Sequence, residues 1–256
     1  MTDANRATRP NDGLTVNATR IQFIYFDLDD TLLDHRQAER RGLADVRRAY
    51  PDHFGQVSID TLHASYHGHS VPLWRQYADG EISKHDLQRL RFEQTLHALG
   101  LNGLEAEALN TLYLDCYARH WRFPHDAREA FLTLADHFPV GILTNGFAEI
   151  QHAKFDRFPE LRDRAEVLLI SEEIGYMKPH PKIFAHASAT ARTPPQAILY
   201  VGDSYTSDVQ GAVKAGWQIA WYTTEKTGDM EAGNETVFCF QKWEALMKFI
   251  FGTAIK

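Results

Sequence analysis

The sequence of 256 residues is poor in cysteine, with only Cys116 and Cys239. These two do not form a Cys-x-x-Cys pair, so neither a disulfide framework nor a cysteine-based zinc site is indicated. So few cysteines fit a reducing compartment, and we predict a cytoplasmic protein. The sequence also lacks an apolar stretch long enough for a membrane span, so we expect no membrane insertion.

An excess of positive charge is absent as well. Lys and Arg total 27 against 34 Asp and Glu, which gives a formal net charge of −7. A negatively charged chain is repelled by nucleic acid polymers and by anionic membranes, so we expect neither as a partner. A small phosphorylated metabolite would need a locally positive site. The sequence leaves open whether the protein is a monomer or a homodimer.

Residues 1–20 lack the apolar segment of a signal peptide. They are mostly polar, and we predict that they form a disordered leader. The remaining chain is long enough for one large domain, or for a core domain with a smaller domain inserted into it. The apolar patterns along the chain favour the second arrangement.

Six short apolar runs predict strands, at residues 21–26, 140–144, 165–170, 198–201, 218–222 and 237–240. Runs that are apolar almost throughout are typical of strands buried on both faces of a parallel sheet. Segments with helical spacing of apolar residues separate several of these strands: Phe147 to Phe158, Pro181 to Ala191 and Tyr205 to Ala215. This alternation predicts an α/β fold, with a doubly wound, Rossmann-like parallel sheet as its core.

The stretch between residues 34 and 123 contains no convincing strand. Four segments there have helical spacing instead: residues 36–50, 61–77, 83–99 and 104–121. Ser83 and Asp86 resemble a capping box, and Gly100 follows the end of the same segment. We interpret residues 34–123 as an all-helical cap, inserted into a core of residues 21–33 and 124–256. A cap that begins at the edge of the sheet can cover the binding crevice.

Asp27 and Asp29 directly follow the first predicted strand. Ligands of open α/β sheets bind beyond the carboxyl ends of the strands, so this position favours a functional role. Alternate residues of an extended chain point the same way, which would bring both carboxylates to one spot. Two carboxylates that close favour a bound metal ion or one shared proton. The alternative is a solvated acidic turn, because Asp is common in turns.

Three later segments favour a functional site over a turn. Thr144 and Asn145 follow the second strand, where a hydroxyl and backbone N–H groups can hold phosphate oxygens. Lys178 follows the third strand and offers a cation. Asp203 and Asp208 follow the fourth strand, and their carboxylates suit a hard cation such as Mg²⁺. All three segments can therefore meet the Asp pair at one edge of the sheet.

In this order the segments resemble the four sequence motifs of the haloacid dehalogenase superfamily of hydrolases. The motifs are Asp27-x-Asp29-x-Thr31, Thr144-Asn145, Lys178-Pro179, and Gly202-Asp203 with Asp208. Each motif is weak alone, but together they are highly specific. The insertion between the first two motifs resembles the helical cap of one group of this superfamily. The resemblance extends from residue 21 to about residue 224.

The resemblance implies hydrolysis of a phosphate monoester through an aspartyl phosphate. Asp27 would be the nucleophile that attacks phosphorus, and Asp29 would protonate the leaving oxygen and then activate water. Lys178 would balance the charge between Asp27 and the phosphoryl group. Thr144 and Asn145 would bind the phosphoryl oxygens together with Lys178.

The resemblance also implies a Mg²⁺ ion as cofactor. Its protein ligands would be a carboxylate oxygen of Asp27, the backbone carbonyl of Asp29 and the side chain of Asp203. Asp208 would orient a metal-bound water or Lys178 rather than bind the metal itself. The ion would neutralise the negative charge of Asp27, which otherwise repels an anionic substrate.

Asp29 separates several possible functions. Dehalogenases of the superfamily lack this residue because halide departure needs no general acid, so dehalogenation is disfavoured. Phosphomutases keep the same motifs and stay open, although Asp30-Thr31 is more similar to the phosphatases. A non-enzymatic binding protein would be favoured if Asp27 or Asp29 were missing, and both are present.

Three longer stretches resemble the pyrimidine 5′-nucleotidases of the superfamily. They are residues 143–154, residues 170–184 and, in the cap, parts of residues 72–93. The resemblance implies nucleoside 5′-monophosphates as substrates, with a preference for pyrimidines. Related caps accept sugar phosphates, acylneuraminate phosphates or flavin precursors, and these stay open as alternatives.

Several other residues have a structural explanation that competes with a functional one. The spacing of His63, His67 and His69 resembles a metal cluster only loosely, and substrate contact by one of them is favoured over ligation. We expect Arg91 to be an exposed helical arginine, with substrate contact as the alternative. Aromatic residues of the cap helices are predicted to be core, with stacking on a substrate ring as the alternative: Trp74, Tyr77, Phe92 and Trp121. We expect Asp30 and Asp34 to be solvated surface residues and Ser204 to be a turn or helix-cap residue.

Overall fold

The computed structural model describes residues 18–223 and 236–252. Residues 1–17 of the predicted leader lie outside this part of the chain, and Ala18–Arg20 form a 3₁₀ turn. The described residues contain six strands: β1 (Phe23–Phe26), β2 (Val140–Thr144), β3 (Val167–Ile170), β4 (Ile198–Gly202), β5 (Gln218–Tyr222) and β6 (Val237–Phe240).

The helices form two groups. Those of the insertion are α1 (His35–Ala49), α2 (Pro51–Phe54), α3 (Ile59–Ala78), α4 (Lys84–Ala98) and α5 (Ala106–Ala118). Those that flank the sheet are α6 (Ala127–His137), α7 (Ala148–Arg157), α8 (Pro159–Arg164), α9 (Ser171–Ile174), α10 (Pro181–Ala191), α11 (Gln210–Lys214) and α12 (Trp243–Phe251). A 3₁₀ turn, Pro195–Ala197, precedes β4, and a π-helical turn, Tyr205–Val209, precedes α11.

The six strands form one parallel sheet in the order β3-β2-β1-β4-β5-β6. The predicted α/β fold with a doubly wound, Rossmann-like sheet is thereby confirmed. The strands that follow β1 lie first on one side of it and then, from β4 onward, on the other. Such a reversal of strand order opens a crevice beyond the carboxyl ends of the two strands concerned. Asp27 follows β1 and Asp203 follows β4, so both lie at this crevice.

The side chains of β1 alternate between two apolar layers. Ile24 and Phe26 pack in the layer that includes α6, α8 and α12, while Phe23 and Tyr25 pack in the layer of α10 and α11. β1 is therefore buried on both faces, as its continuous apolar sequence predicts. A shift of the strand by one residue would exchange the two layers, so the register is strongly determined. The position of Asp27, directly after β1, is determined with it.

Some predicted elements differ from the observed ones at their ends. β3 begins at Val167 rather than at residue 165, because α8 continues to Arg164 and only Glu166 N–H reaches the carbonyl of Val140, at 2.8 Å. The predicted helix from Tyr205 to Ala215 is divided into the π-helical turn and α11. The short helices α2, α8 and α9 and the longer helices α6 and α12 were not predicted.

The inserted helices have an apolar core of their own, in which α1 packs on α5 and α3 packs on α4. Its largest side chains are aromatic: Phe54, Tyr66, Phe92, Tyr113, Tyr117 and Trp121. The predicted capping box at the start of α4 is confirmed, because the Asp86 N–H donates to the Ser83 hydroxyl at 3.1 Å and the Ser83 N–H donates to the Asp86 carboxylate. Each half of the insertion is thus held by packing and by local caps.

The insertion meets the core next to α7. Phe147, directly before α7, packs against Leu73 of α3 and Leu87 of α4. Lys84, at the start of α4, forms an ion pair of 2.6 Å with Glu149 of α7. Within residues 18–223 and 236–252, no helix combines the length and the apolar character that crossing a bilayer requires.

Candidate active site

Asp27 and Asp29 lie in the middle of the carboxyl edge of the sheet. The Asp27 N–H donates to the carbonyl of Val201 on β4 at 2.8 Å, so the strand pairing continues into the first motif. Leu28, between the two aspartates, is fully buried in the core. The carboxylates of Asp27 and Asp29 both line one cavity of about 650 Å³ at this edge.

Lys178 is the cation next to Asp27. Its ammonium group donates to the carboxylates of Asp27 and Asp208, each at 2.8 Å, and to the hydroxyl of Tyr200. Burial would lower the pKa of Lys178, but the charges of Asp208 and Asp27 outweigh burial and raise it. Lys178 therefore stays protonated and can balance negative charge at Asp27. Tyr200, on β4, is a contact that the sequence motifs do not indicate.

Asn145 positions Lys178 through the backbone. The Lys178 N–H donates to the side-chain oxygen of Asn145 at 2.8 Å, and the Asn145 amide donates to the Lys178 carbonyl at 3.0 Å. The second and third motifs are therefore held together by one side chain. Thr144 is placed differently from the expectation for a phosphate ligand. Its fully buried hydroxyl accepts from Gln151 at 2.8 Å, and it does not line the cavities at this edge.

Asp203 and Asp208 bring further negative charge to the site from the segment after β4. Asp208 is fully buried and, besides binding Lys178, accepts from the Ser204 N–H at 3.0 Å. A Cβ atom at Gly202 would lie 2.5 Å from Asp208, so only glycine leaves room for this carboxylate. The structure thus brings Asp208 to Lys178, which is one of the two positions expected for it.

The carboxylates of Asp27, Asp203 and Asp208 suit a divalent cation. Each offers one oxygen, and these three atoms lie within 4.8 Å of one another. Burial is the main reason why the pKa of Asp27 rises to about 7, although Lys178 opposes the shift. Burial and the charges of Asp208 and Asp27 raise the pKa of Asp203 well above its usual range. Three clustered carboxylates with one lysine leave excess negative charge on hard oxygen atoms, which is what Mg²⁺ binds.

Asp29 has partners of its own, none of which the sequence analysis identified. Both of its carboxylate oxygens accept from Lys154 of α7, at 2.6 and 2.7 Å, and one also accepts from Gln151 at 3.0 Å. Burial would raise the pKa of Asp29, but the charge and hydrogen bonds of Lys154 outweigh burial and lower it. The lysine ammonium group also lies 5.4 Å from the ring of Tyr117 and 5.7 Å from that of Trp121. Lys154 therefore connects the acid/base candidate to cap helix α5.

A signal for these two residues is present in the sequence. Gln151 and Lys154 are three residues apart in α7, so they lie on one face of the helix, and both are buried. A lysine on the buried face of a helix needs a negative partner. The unpaired carboxylates after β1 are the obvious candidates. A search for polar residues on the apolar face of α7 would have found this pair.

A cavity of about 620 Å³ lies between the cap and the core. Its catalytic end is lined by Asp29, Asn145 and Lys178. Aromatic side chains form much of its wall: Tyr66, Trp74, Tyr113, Tyr117 and Phe147. The cavity therefore offers a charged end for an anionic group and an aromatic region for a larger apolar or ring-shaped group.

Arg91 and the cap aromatics are placed only partly as expected. The prediction of an exposed Arg91 is wrong: the residue is 5 % exposed, because its guanidinium group packs among the rings of Tyr66, Phe92 and Tyr113. Phe92 and Trp121 are buried, in agreement with a core role. Trp74 is only partly buried, and its ring centroid lies 4.7 Å from that of Phe147. Tyr77 is also partly buried, and its hydroxyl donates to Glu172 at 3.2 Å.

Residues next to the motifs mainly stabilise local structure. Asp34 caps α1, because its carboxylate accepts from the Gln37 N–H at 3.2 Å. The Asp30 carboxylate accepts from the Arg36 N–H at 2.8 Å. Ser204 caps the π-helical turn after β4, as predicted for this residue.

Of His63, His67 and His69, two converge on a buried glutamate. His63 and His67 lie 3.1 and 3.3 Å from the same carboxylate oxygen of Glu39, whereas His69 is not part of this group. The three side chains could hold a metal ion by their spacing, but their mutual hydrogen bonds already satisfy the buried carboxylate. Burial would raise the pKa of Glu39, and hydrogen bonds from His63 and His67 outweigh burial and lower it. A hydrogen bond from Glu39 raises the pKa of His67.

We expect Glu39→Gln to lower the free energy of unfolding more at about pH 5.5 than at about pH 8.5. The pKa of Glu39 is lowered in the folded state, so its contribution is complete above its usual value of 4.5 and is lost as the pH falls further. The pKa of His67 is raised, so its contribution is complete below its usual value of 6.5 and is lost as the pH rises through the raised value. Because His67 is half exposed, the difference should be at most about 1 kcal/mol.

Urea denaturation of the wild type and Glu39→Gln at both pH values measures this effect. The matched control is Glu107→Gln, which removes an exposed glutamate 3.3 Å from His85 in the same domain. The control should have no measurable effect at either pH, since exposed pairs contribute little. A destabilisation by Glu39→Gln that is the same at both pH values would contradict a stabilising interaction between Glu39 and protonated His67.

Comparisons with known proteins agree with this geometry. A family model described as haloacid dehalogenase-like hydrolase matches residues 21–216. Pyrimidine 5′-nucleotidase YjjG of Escherichia coli (strain K12) is 30% identical over 200 residues, which cover 78% of this chain and 84% of that protein. The 5-amino-6-(5-phospho-D-ribitylamino)uracil phosphatase YigB of the same strain is 32% identical over 228 residues, which cover 82% and 87%.

A solved structure extends the comparison to three dimensions. YfnB from Bacillus subtilis, crystallised with bound magnesium, superposes with a TM-score of 0.74 at 25% identity, and the match covers 90% of this chain and 99% of that one. Sequence relatives and structural neighbour therefore agree over nearly the same part of the chain. The chain belongs to the haloacid dehalogenase-like hydrolase family, as a phosphoric monoester hydrolase.

Proposed function

We propose that the enzyme is a Mg²⁺-dependent phosphatase that hydrolyses nucleoside 5′-monophosphates and prefers pyrimidines. The main support is the contact of Asp27 with Lys178 beside two further carboxylates, the buried Asp208 and the partly buried Asp203. This arrangement provides a nucleophile, a fixed cation and a metal site at one end of an aromatic cavity. A small phosphorylated metabolite fits that combination of charge and shape.

Asp27 is the nucleophile in this proposal. One of its carboxylate oxygens attacks phosphorus, the bond between phosphorus and the leaving oxygen breaks, and an aspartyl phosphate results. Lys178 lies 2.8 Å from Asp27 and can balance the negative charge as the phosphoryl group approaches. The backbone N–H of Asn145, directly after β2, would bind a phosphoryl oxygen, because Asn145 lines the cavity, whereas the Gly146 N–H already donates to the Ser171 hydroxyl at 3.1 Å.

Asp29 is the acid and then the base. In the first step its carboxyl group gives a proton to the leaving oxygen; in the second its carboxylate takes a proton from the water that attacks phosphorus. The second step breaks the bond between phosphorus and Asp27 and releases inorganic phosphate. Lys154 favours the ionised form of Asp29, which is the form that the second step requires. The negative charge of an incoming phosphate opposes Lys154 and favours the proton that the first step requires.

Mg²⁺ would be held by the Asp27 and Asp203 carboxylates and the Asp29 carbonyl, and it would supply positive charge that draws the phosphoryl group to Asp27. The cluster of the Asp27, Asp203 and Asp208 carboxylates described above supports this part of the proposal. Asp208, which already accepts from Lys178, would keep that lysine in position. Thr144 would act through Gln151 rather than by direct contact with phosphate, because its hydroxyl is enclosed.

The preference for pyrimidine nucleotides is supported by the cavity and by a relative. The cavity volume of about 620 Å³ is within the range of sites that enclose small-molecule ligands. Trp74 and Phe147 offer aromatic faces for a base. The similarity to a pyrimidine 5′-nucleotidase points to the same class of substrate. A phosphatase of another phosphorylated metabolite and a phosphomutase are the competing proposals.

A metabolite screen with and without Mg²⁺ tests the proposal. We expect UMP and dTMP to be hydrolysed with kcat/KM at least ~10-fold above AMP, ribose 5-phosphate, an acylneuraminate 9-phosphate and a phosphorylated flavin precursor. Chelation of divalent ions should abolish turnover, and added Mg²⁺ should restore it. Released inorganic phosphate is the readout, which also separates a phosphatase from a phosphomutase. Strong turnover of a sugar phosphate with none of UMP or dTMP would reject the pyrimidine preference.

A further inference from the structure

Arg91 is a buried cation without a carboxylate partner among residues 18–223 and 236–252. Its Nε and one terminal nitrogen both donate to the side-chain oxygen of Asn110, which is neutral. The other terminal nitrogen, Nη1, forms no hydrogen bond with the described residues. Burial of a guanidinium group without a matching acceptor is unfavourable, so the free N–H groups of Arg91 are available to a hydrogen-bond acceptor in the cavity.

Arg91 lines the cavity between the cap and the core. Tyr66 and Ser70 of α3 line the same cavity and are 1 % and 5 % exposed. The two hydroxyls are close enough to influence each other, but neither forms a hydrogen bond of acceptable geometry with the described residues. Two buried hydroxyls without a hydrogen bond thus lie beside a buried guanidinium group that is only partly paired, although buried polar groups of folded proteins are normally paired.

The surroundings of Arg91 favour a neutral acceptor over a second negative charge. Three ring centroids lie between 5.2 and 5.9 Å from the guanidinium carbon, those of Tyr66, Phe92 and Tyr113, and these rings stabilise its positive charge. Burial raises the pKa of Tyr66 and Tyr113; the Glu39 carboxylate adds to this rise and Arg91 opposes it, so a negative charge already lies near the same rings. An anionic ligand would be repelled by the negative charge of Glu39. A neutral carbonyl oxygen is not repelled and can accept hydrogen bonds from the free N–H groups of Arg91.

We infer that Arg91, Tyr66 and Ser70 form a subsite in the cap that binds a ring carbonyl of the substrate. The inference rests on the proposed function, and it assigns the ligand as the 2-oxo group of a pyrimidine base. Arg91 donates to this oxygen, and the two hydroxyls can donate to the same oxygen or accept from a ring N–H. Adenine has no carbonyl group, so the subsite discriminates against AMP.

Arg91→Met tests the subsite through a comparison of substrates. The variant should raise KM for UMP roughly 10- to 100-fold with little change in kcat, because hydrogen bonds to a charged donor are lost. Turnover of ribose 5-phosphate, which has the same phosphate and sugar but no base, should stay within about twofold of wild type. The loss of kcat/KM for AMP should likewise be far smaller than the loss for UMP. Ser70→Ala, a milder change, should raise KM for UMP by a smaller factor of roughly 3 to 10.

Two further variants keep the test interpretable. Arg91→Met leaves the Asn110 oxygen without its donors, so the double variant Arg91→Met/Asn110→Leu removes both partners and should show the same substrate pattern in a folded protein. Arg89→Met is the matched control, since Arg89 lies on the same helix and binds Glu93 at the surface. The kinetic constants for UMP and for ribose 5-phosphate should be the same in this control as in wild type. Unfolding curves of each variant report whether it is folded.

The outcomes separate the two hypotheses. If wild type hydrolyses UMP and Arg91→Met changes UMP and ribose 5-phosphate by the same factor, or changes neither, the subsite is refuted while the proposed function stands. If wild type hydrolyses ribose 5-phosphate but not UMP, the proposed function is refuted, and the assignment of a pyrimidine to the subsite falls with it. A selective loss for UMP in Arg91→Met and in the double variant supports the subsite.

Discussion

Asp27→Asn is expected to lower kcat at least ~10³-fold and, at the same time, to make the folded protein more stable. An amide cannot form the aspartyl phosphate, so the lost activity follows from the chemistry of the first step. The stability gain has an electrostatic cause. Asp27 and Asp208 are buried around Lys178 with the partly buried Asp203 beside them, and replacing one carboxylate relieves repulsion among the three.

The pH dependence of this gain can be predicted from the pKa of Asp27. Burial raises it to about 7 in the folded protein, far above the usual value of 3.8. A carboxyl group with a raised pKa binds its proton more tightly in the folded state, so ionisation destabilises wild type progressively from about pH 4 to about pH 7. Asp27→Asn should therefore raise the melting temperature by a few degrees at about pH 8 and by less at about pH 5.

Mg²⁺ provides a second readout for the same variant. A cation that binds among the carboxylates stabilises the folded state by mass action, so Mg²⁺ should raise the melting temperature of wild type. Asp27→Asn should lose most of that increase. The control is Asp34→Asn, which keeps a good helix cap at α1 and should retain activity and the response to Mg²⁺. Phosphatase turnover of Asp27→Asn at the wild-type rate would refute Asp27 as the nucleophile.

The fold could be predicted from the sequence because its strands are buried on both faces. Five apolar runs that end at polar or glycine residues coincide with β1 to β5, and the sixth run, at residues 237–240, is β6. The carboxyl ends of parallel strands meet at one edge, so motifs far apart in the chain could be expected to come together. Asp27, Lys178 and Asp208 do so within hydrogen-bonding distance.

Details that depend on side-chain direction could not be predicted in the same way. Thr144 shows this, because the motif indicates a hydroxyl after β2 but not that Gln151 would enclose it. Arg91 shows it as well, since the apolar spacing of α4 does not reveal which side the aromatic rings of α3 and α5 occupy. Contacts between the cap and the core join residues far apart in the chain, 65 positions for Lys84 with Glu149 and 95 for Tyr77 with Glu172, and helical periodicity contains no information about them.

Lys154→Met is expected to have the second large effect, a fall in kcat of roughly 10²- to 10³-fold with little change in KM. Lys154 binds both carboxylate oxygens of Asp29 and is 2 % exposed, so it determines where the acid/base group lies. Methionine fills a similar volume but leaves the Asp29 carboxylate without its cation. Loss of one partner of a buried ion pair costs roughly 3–5 kcal/mol, and the partial exposure of Asp29 places the expected loss of stability at the lower end.

Catalytic and structural roles of Lys154 can be separated by the pH profile and by rescue. Lys154 lowers the pKa of Asp29, so its removal should move the acidic limb of kcat to higher pH, a shift that a merely loosened structure would not produce. Lys154→Arg keeps the charge and should recover part of kcat. Lys84→Met removes another ion pair between the cap and the core, with Glu149, and should leave kcat and its profile unchanged. If Lys154→Met and Lys84→Met lowered kcat equally, Lys154 would only join the two domains; an effect confined to Lys154 would mean that this lysine holds Asp29 for proton transfer.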